Sequence, residues 1–514
     1  MFKKAACNTK YSSLVFWAIL AVYLVVIEQF LTSLLHPQGI HFIRQTDSLS
    51  FASNYFRFGN GFFNPQVYNL SSVNGNAANE FPLLYFLVSF IYKLIGEQDF
   101  VLRILNLSIS VAGFYALFKI IGSIVGDCFY TLFFTFTLIS STVLMYYSNN
   151  YLPDPTALSF AIIGWWFFLE GIRSKRNSVK LPLAFLFFTL SSLIKITYLI
   201  NPVAAVLSCF IFVLYNRNKP NSTLNYVSVG LFFAVSLLLV AFWWFVFVKM
   251  YNSTNNDFYF LTTIRPVWNL SSTELSAVFD AVSRWHTEYF YFNSYYLFGL
   301  LLTGLLFLKR KDFVLMIVAS LLLLGSVFYI LLFFAQFHDH DYYFLVLFIP
   351  VVFTALLLFI SLYRKFRRFF DSLYFKVFLS IFCLLALFDT TEQVKNRYDN
   401  SKDKFSEVGF ILKGYDLVMD SLGISQDAKV VVYPDMTRNG SLYFIKRKGW
   451  TVGGQADDVN KKITQLIEKG ADYLITLSTV NGLGLDTLYV DKKITIYKTK
   501  KPPHTEAVQL QPTD

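Results

Sequence analysis

The sequence predicts a polytopic α-helical membrane protein that ends in a small α/β domain, and three observations predict it. Hydrophobic residues fill 55% of 514 positions and charged residues only 15%, against about 25% in an ordinary soluble domain. Apolar stretches long enough for a helix to cross hydrocarbon, roughly 20 residues for about 30 Å, recur from residue 12 to residue 390. After residue 390 the composition turns mixed, polar and charged.

The first apolar stretch, 12–34, follows Lys3, Lys4 and Lys10; it is longer than a signal-peptide core and lacks a small-residue cleavage site, so it reads as the first span. The net charge of +11 would suggest nucleic acid in a soluble protein, but here the basic residues lie in short loops between apolar stretches, where they set topology. One arrangement puts the N-terminus, Arg173 to Arg176, Arg217 with Lys219, Lys309 to Lys311 and Arg364 to Arg368 all on the cytoplasmic side. Spans then cover 12–34, 101–122, 128–147, 155–172, 181–196, 197–215, 225–249, 294–308, 313–335, 342–363 and 373–390, and the C-terminus lies outside. Cys7, Cys128, Cys209 and Cys383 are scattered singletons, which points to neither a disulfide framework nor a zinc knuckle.

Residues 81–95 are apolar but too few to cross comfortably, and counting them as a span would invert every later loop. They read as an interfacial helix on the outer surface. This leaves two long outer loops, 35–100 and 250–293, of a length uncommon without a function. Beyond the membrane domain, 1–390, the segment 391–514 has helical periodicity at 404–421 and 456–468 and strand-like runs at Lys429 to Tyr433, Tyr473 to Leu477 and Ile494 to Tyr497. No Gly-rich phosphate loop follows a strand there, so no nucleotide cofactor is expected and the domain reads as accessory.

Ionisable groups at outer span ends and in outer loops carry the functional signal, because burial near lipid is costly unless the group is paired or used. The run His41 to Asp47 contains Arg44 and Asp47; Asp47 reads either as the N-cap of a helix reaching Arg57 or as a carboxylate held ionised to take a proton from an acceptor hydroxyl. Glu80 precedes the interfacial helix and suits its dipole. Asp154, followed by Pro155, resembles a helix start. Lys195 can snorkel to the interface or bind phosphate. The second outer loop adds Arg265, Arg284 and His286, while the alternating His and Asp of the His338 to Asp341 run read either as metal ligands or, since no ligand spacing distinguishes them, as a solvated turn. Carboxylates and cations converging on one face suit sugar transfer from a lipid phosphate: a base activates the acceptor while Arg, Lys or a metal neutralises the leaving group.

At these residues the sequence resembles the GT-C membrane glycosyltransferases, in the bacterial family 39-like branch with protein O-mannosyltransferases and aminoarabinose transferases. The resemblance spans about 12–390. Arg44-Gln45-Thr46-Asp47 resembles the first-loop motif with the catalytic Asp, and Glu80-Phe81-Pro82-Leu83-Leu84-Tyr85 resembles the family's Glu-x-Pro-Pro-Leu-Tyr segment. Arg103, Asp154 and Lys195 stand where the family has an Arg, an Asp and a Lys, and Tyr342-Tyr343 precede Pro350 in the family manner.

The resemblance implies a polyprenyl-phosphate sugar donor, a glycan, lipid or protein hydroxyl acceptor, and transfer with inversion at the outer face of a bacterial cytoplasmic membrane. Asp47 would be the catalytic base supported by Arg44 and Asp154. Arg103, Lys195, Arg265, Tyr342 and Tyr343 would hold the donor phosphate, and Glu80 with His286 a divalent metal, although Phe81 and Leu83 depart from the family pattern beside Glu80. A transporter or flippase of lipid-linked saccharides is the competing reading; it would place ionisable residues near the midplane, whereas here they gather at the outer ends.

Overall fold

The computed structural model describes residues 10–173, 179–215, 226–260, 264–289, 313–454, 458–478 and 483–499. Seven helices among them are long and apolar enough to cross a membrane: Phe100–Val125, Asp154–Arg173, Ile196–Tyr215, Val227–Thr254, Phe313–His338, Asp341–Lys365 and Leu373–Arg397. The chain is an integral membrane protein with a small C-terminal sheet. The remaining expected spans are shorter or broken. Residues 12–34 divide into Lys10–Val26 and Gln29–Ser33, because Glu28 takes a left-handed conformation (φ 57°). Lys180–Ile194 is a 15-residue apolar helix. The stretch 128–147 breaks into Cys128–Ile139 and Thr142–Ser148, bent by 74°; Ser141 caps the second piece, whose Tyr146 and Tyr147 turn toward the site. Residues 294–308 and the basic stretches 174–178, 216–225 and 309–312 lie outside the described residues.

Leu83–Ile95 is a 13-residue helix packed on Phe42–Arg57. It buries Leu84, Tyr85, Val88 and Tyr92, and its other face exposes Leu87, Phe90, Leu94 and Ile95, the two-sided apolarity suited to an interface.

Helix Phe42–Arg57 is the unusual element. Its sequence is rich in Gln, Thr, Ser and Asn, yet every residue from Gln45 to Tyr55 is buried. Polar side chains are buried at a cost unless each has a partner, so such a helix marks a place where polar groups are needed. It begins at Phe42, after His41 in a left-handed conformation (φ 62°). Asp47 therefore lies in its second turn, and the N-cap expected for it does not exist.

The C-terminal segment forms one sheet in the order β2-β1-β3-β5-β4: β1 Val430–Tyr433, β2 Gly449–Thr451, β3 Tyr473–Thr476, β4 Asp486–Val490 and β5 Thr495–Lys498. β2, β1 and β3 run parallel, joined by helices Gly440–Ile445 and Val459–Glu468; β5 and β4 are antiparallel additions. The expected helix over 404–421 is interrupted at Gly414 (φ 84°).

This sheet does not stand apart from the first large loop. Asn69 bridges Gly449 beside β2, with Leu70 N donating to Gly449 O at 2.7 Å and Gly449 N donating to Tyr68 O at 3.1 Å. Phe42, Leu49 and Tyr68 share one apolar core with Val430, Leu442 and Ile445. The second large loop joins them through Val73 N to Asn255 O at 2.9 Å and Asn76 Nδ2 to Asn255 Oδ1 at 2.8 Å. Both loops and the C-terminal domain thus occupy the same end of the helical part. Gly449 is squeezed within the sheet, between β2 and β1: a Cβ there would stand 1.9 Å from Val430 O. Gly449→Ala is expected to cost about 1–3 kcal/mol through backbone displacement and lower the thermal midpoint in detergent; an unchanged midpoint would show that the close β1–β2 approach is not needed for stability.

Candidate functional site

A single turn positions the site. His41 Nε2 lies 3.0 Å from Asp341 Oδ1, and the same carboxylate accepts from Tyr147 OH at 2.5 Å and from Arg397. Ile40 N donates to Arg397 O, while Gln45 Nε2 donates to Gln38 O and Ile40 O. The start of helix Phe42–Arg57 is thereby braced by three distant parts of the chain, and its next turn projects Arg44 and Asp47.

A cavity of about 810 Å³, within the range of about 300–1,000 Å³ usual for ligand sites, opens beside this helix. Its polar lining includes Arg44, Glu80, Asp154, Lys195, Lys249, Tyr342, Tyr343, Lys402 and Asp403; its apolar lining includes Ile194, Trp244, Phe245, Ile264 and Phe333. Lys195 Nζ is paired with the Asp154 carboxylate and stands 4.6 and 4.2 Å from the ring centroids of Tyr342 and Tyr343. Arg44 Nη2 donates to Glu80 at 3.2 Å, and Tyr85 OH donates to the same carboxylate. Four ammonium or guanidinium cations, Arg44, Lys195, Lys249 and Lys402, and the phenols of Tyr342 and Tyr343 thus share one cavity with apolar side chains, a combination suited to a phosphate bearing a long hydrocarbon tail.

Asp47 lies directly behind this wall and is fully buried. Arg44 Nη1 is 3.6 Å from its Oδ2, Tyr259 OH donates to Oδ2 at 3.2 Å, and Asn439 Nδ2 donates to Oδ1 at 2.7 Å. Burial raises the Asp47 pKa above the ordinary aspartate value, against the opposing pull of Arg44, Asn439, Arg438 and Tyr259.

The structure brings Asp47, Arg44, Glu80, Asp154, Lys195, Tyr342 and Tyr343 together and separates two other expected residues, Arg103 and Arg265. Arg103 is fully buried and points elsewhere: it donates to Thr32 O at 2.9 Å and His36 O at 3.3 Å and stacks over Tyr151, an internal brace with no face on the cavity. Arg265 turns outward to Glu274 at 2.7 Å and is 55% exposed. The His286 side chain lies outside the described residues. Asp154 engages Lys195 and caps no helix; Pro153 O begins the turn. The Glu80 carboxylate accepts from the Arg44 guanidinium and the Tyr85 phenol, so that Arg44 serves as its counter-cation, while its expected metal partner His286 has its side chain outside the described residues. Among the described residues no three His, Cys, Asp or Glu side chains converge as a metal site would need.

Tyr259, Arg438 and Asn439 carry no motif and were not foreseen. Only the position of Tyr259 in a loop too long to be idle gave a hint of its involvement.

No family model and no curated protein matches the sequence. Solved structures do. The structure is similar to ArnT, the aminoarabinose transferase, from Cupriavidus metallidurans in the apo state, with a TM-score of 0.58 at 13% identity over 95% of this chain and 99% of the other. ArnT bound to undecaprenyl phosphate gives 0.58 at 15% identity, over 94% and 98%. Archaeal oligosaccharyltransferase AglB from Archaeoglobus fulgidus, in complex with an inhibitory peptide and a dolichol-phosphate, gives 0.54 at 12% identity, over 91% and 70%.

The fold is that of the GT-C glycosyltransferases. The match extends through the C-terminal sheet as well as the helices, since 95% of the chain is included. Within this GT-C fold the cavity lies where the two large loops and the C-terminal domain meet the helices.

Proposed function

We propose that the chain is a membrane glycosyltransferase that moves a sugar from a polyprenyl-phosphate donor to a hydroxyl acceptor, with inversion, at the extracytoplasmic face. One observation carries this reading: one cavity is lined by Lys195, Arg44 and two tyrosines together with a set of apolar side chains, and a buried carboxylate lies one layer behind. The ArnT and AglB structures were solved with lipid phosphates, which supports the same donor class here. Residues 1–390 would form the membrane domain, 391–514 the extracytoplasmic domain.

Each residue then has a physical task. The polyprenyl chain lies against Ile194, Trp244, Phe245, Ile264 and Phe333, and Lys195 with Tyr342 and Tyr343 donates to the phosphate. The acceptor hydroxyl approaches the opposite face of the anomeric carbon. Its oxygen forms the new C–O bond as the anomeric carbon–phosphate oxygen bond breaks, the electron pair leaving on the phosphate and the proton passing to Asp47. The Tyr259 phenol, which lines the cavity and hydrogen-bonds to Asp47 Oδ2, supports this reading, because an acceptor hydroxyl would make the same kind of contact.

The decisive experiment is transfer from a radiolabelled undecaprenyl-phosphate sugar by purified protein in lipid vesicles, across a panel of glycan, lipid and peptide acceptors. Labelled product with released undecaprenyl phosphate is expected. Movement of intact donor between leaflets without cleavage would instead establish a transporter and overturn the proposal. Asp47 is active as the carboxylate, so kcat/KM is expected to rise with pH through its ionisation and to fall as pH drops. Because burial raises that pKa, the acid limb should stand above the range of an ordinary aspartate.

A further inference from the structure

Asn439 lies in the loop after β1, where Asp435 organises the turn: Thr437 N donates to its Oδ1 at 2.7 Å and Ser441 N to its Oδ2 at 3.2 Å. The Asn439 amide is fully buried, and both ends are engaged across the seam with the first large loop. Its Oδ1 accepts from Asn69 N at 3.1 Å and its Nδ2 donates to Asp47 Oδ1 at 2.7 Å, while Asn69 Nδ2 donates to Arg438 O at 2.8 Å. These partners determine which way the amide points. A backbone N–H can be met only by the carbonyl oxygen, so the NH2 must face the carboxylate. Arg438, next in the chain, pairs with Asp257 at 2.5 Å and lies 4.4 Å from the Tyr259 ring centroid, holding the phenol that also donates to Asp47.

We infer that Asn439 and Arg438 make the C-terminal domain part of the catalytic centre, as positioning residues that aim Asp47 and keep it ionised for its work as a base. The inference rests on Asp47 being that base. It assigns the domain a direct role that its lack of a phosphate loop does not suggest. A carboxylate in full burial tends toward its neutral form, in which it cannot accept a proton. The groups facing it are Arg44 from its own helix, with Glu80 and Tyr85 beyond, Tyr259 from the second large loop, and Asn439 and Arg438 from the C-terminal domain. Arg44 already shares its charge with Glu80, so the neutral donor Asn439, at the shortest distance, is the contact made to Asp47 Oδ1. Hydrogen bonds to a carboxylate favour the ionised form, and Asn439 lowers the Asp47 pKa in this way.

The test compares pH profiles of kcat/KM for the full-length protein, Asn439→Ala and Asn439→Asp in lipid, using a labelled undecaprenyl-phosphate sugar and an accepted hydroxyl acceptor. Asn439→Asp keeps the size and can still accept from Asn69 N, but it sets a second carboxylate oxygen against Asp47, so that the two compete for one proton. Both variants should move the acid limb to higher pH, Asn439→Asp further, with roughly a tenfold or greater loss at neutral pH, little change in donor KM and partial recovery on the alkaline side. Thermal midpoints are measured alongside; if Asn439→Ala does not fold, Asn439→Asp carries the same expectation. An acid limb that stays in place, with activity merely reduced at every pH, would overturn the inference. Asp47→Asn separates the two ideas: if it keeps turnover, the base assignment itself fails, whereas if it is inactive and the Asn439 profiles are unshifted, only the role of Asn439 falls.

Discussion

Asp47→Asn is expected to reduce transfer about 100-fold or more while leaving the thermal midpoint close to that of the unaltered protein. A hydroxyl is a weak nucleophile at neutral pH, and an amide of the same shape cannot take its proton. The structure predicts mild effects on stability, because Asp47 occupies the second turn of helix Phe42–Arg57 and caps nothing. An Asn oxygen could still accept from Asn439, and Arg44 would retain Glu80 as its counter-charge. Turnover of the purified variant in vesicles, with its melting curve, decides the matter. Near-normal rates would remove Asp47 from the mechanism.

Lys195→Met is expected to abolish transfer and also destabilise the protein, and the second effect should be reversible. The Lys195–Asp154 pair is nearly enclosed, the two side chains being 14% and 4% exposed. Removing one member strands the other charge, which typically costs about 3–5 kcal/mol, while replacing both can be close to neutral. Lys195→Met with Asp154→Asn should therefore recover most of the thermal midpoint lost by Lys195→Met alone. Activity should stay low in the double variant, by about 100-fold or more, because the donor for the departing phosphate is gone. Recovery of transfer together with stability would show that the lysine is only structural.

Much of the membrane part was legible, because hydropathy and loop charge act locally along the chain. Helices Phe100–Val125, Asp154–Arg173 and Ile196–Tyr215 begin and end within a few residues of the expected bounds. The break at Glu28 and the 74° bend after Ile139 were not foreseen, since mean hydropathy is blind to a single left-handed residue or a capping serine. Strands β1, β3 and β5 stood out as runs of Val, Ile, Leu, Thr and Tyr; β2 and β4, three and five residues at the sheet edges, did not.

The sequence by itself determined that the chain is a membrane protein and singled out Arg44, Asp47, Glu80, Asp154 and Lys195, which the structure brings together around one cavity, since an ionisable group beside an apolar stretch is expensive wherever it folds. It could not say which cations face the cavity. Arg103 and Arg265 carry the same charge as Arg44, and only packing sends one to backbone carbonyls, one to an exposed Glu274 and one to Glu80 beside Asp47. Nor could it show that a loop near residue 439 closes over a helix near residue 47. That contact depends on an apolar core and a strand edge shared by segments nearly 400 residues apart, and no local pattern encodes a partner at that separation.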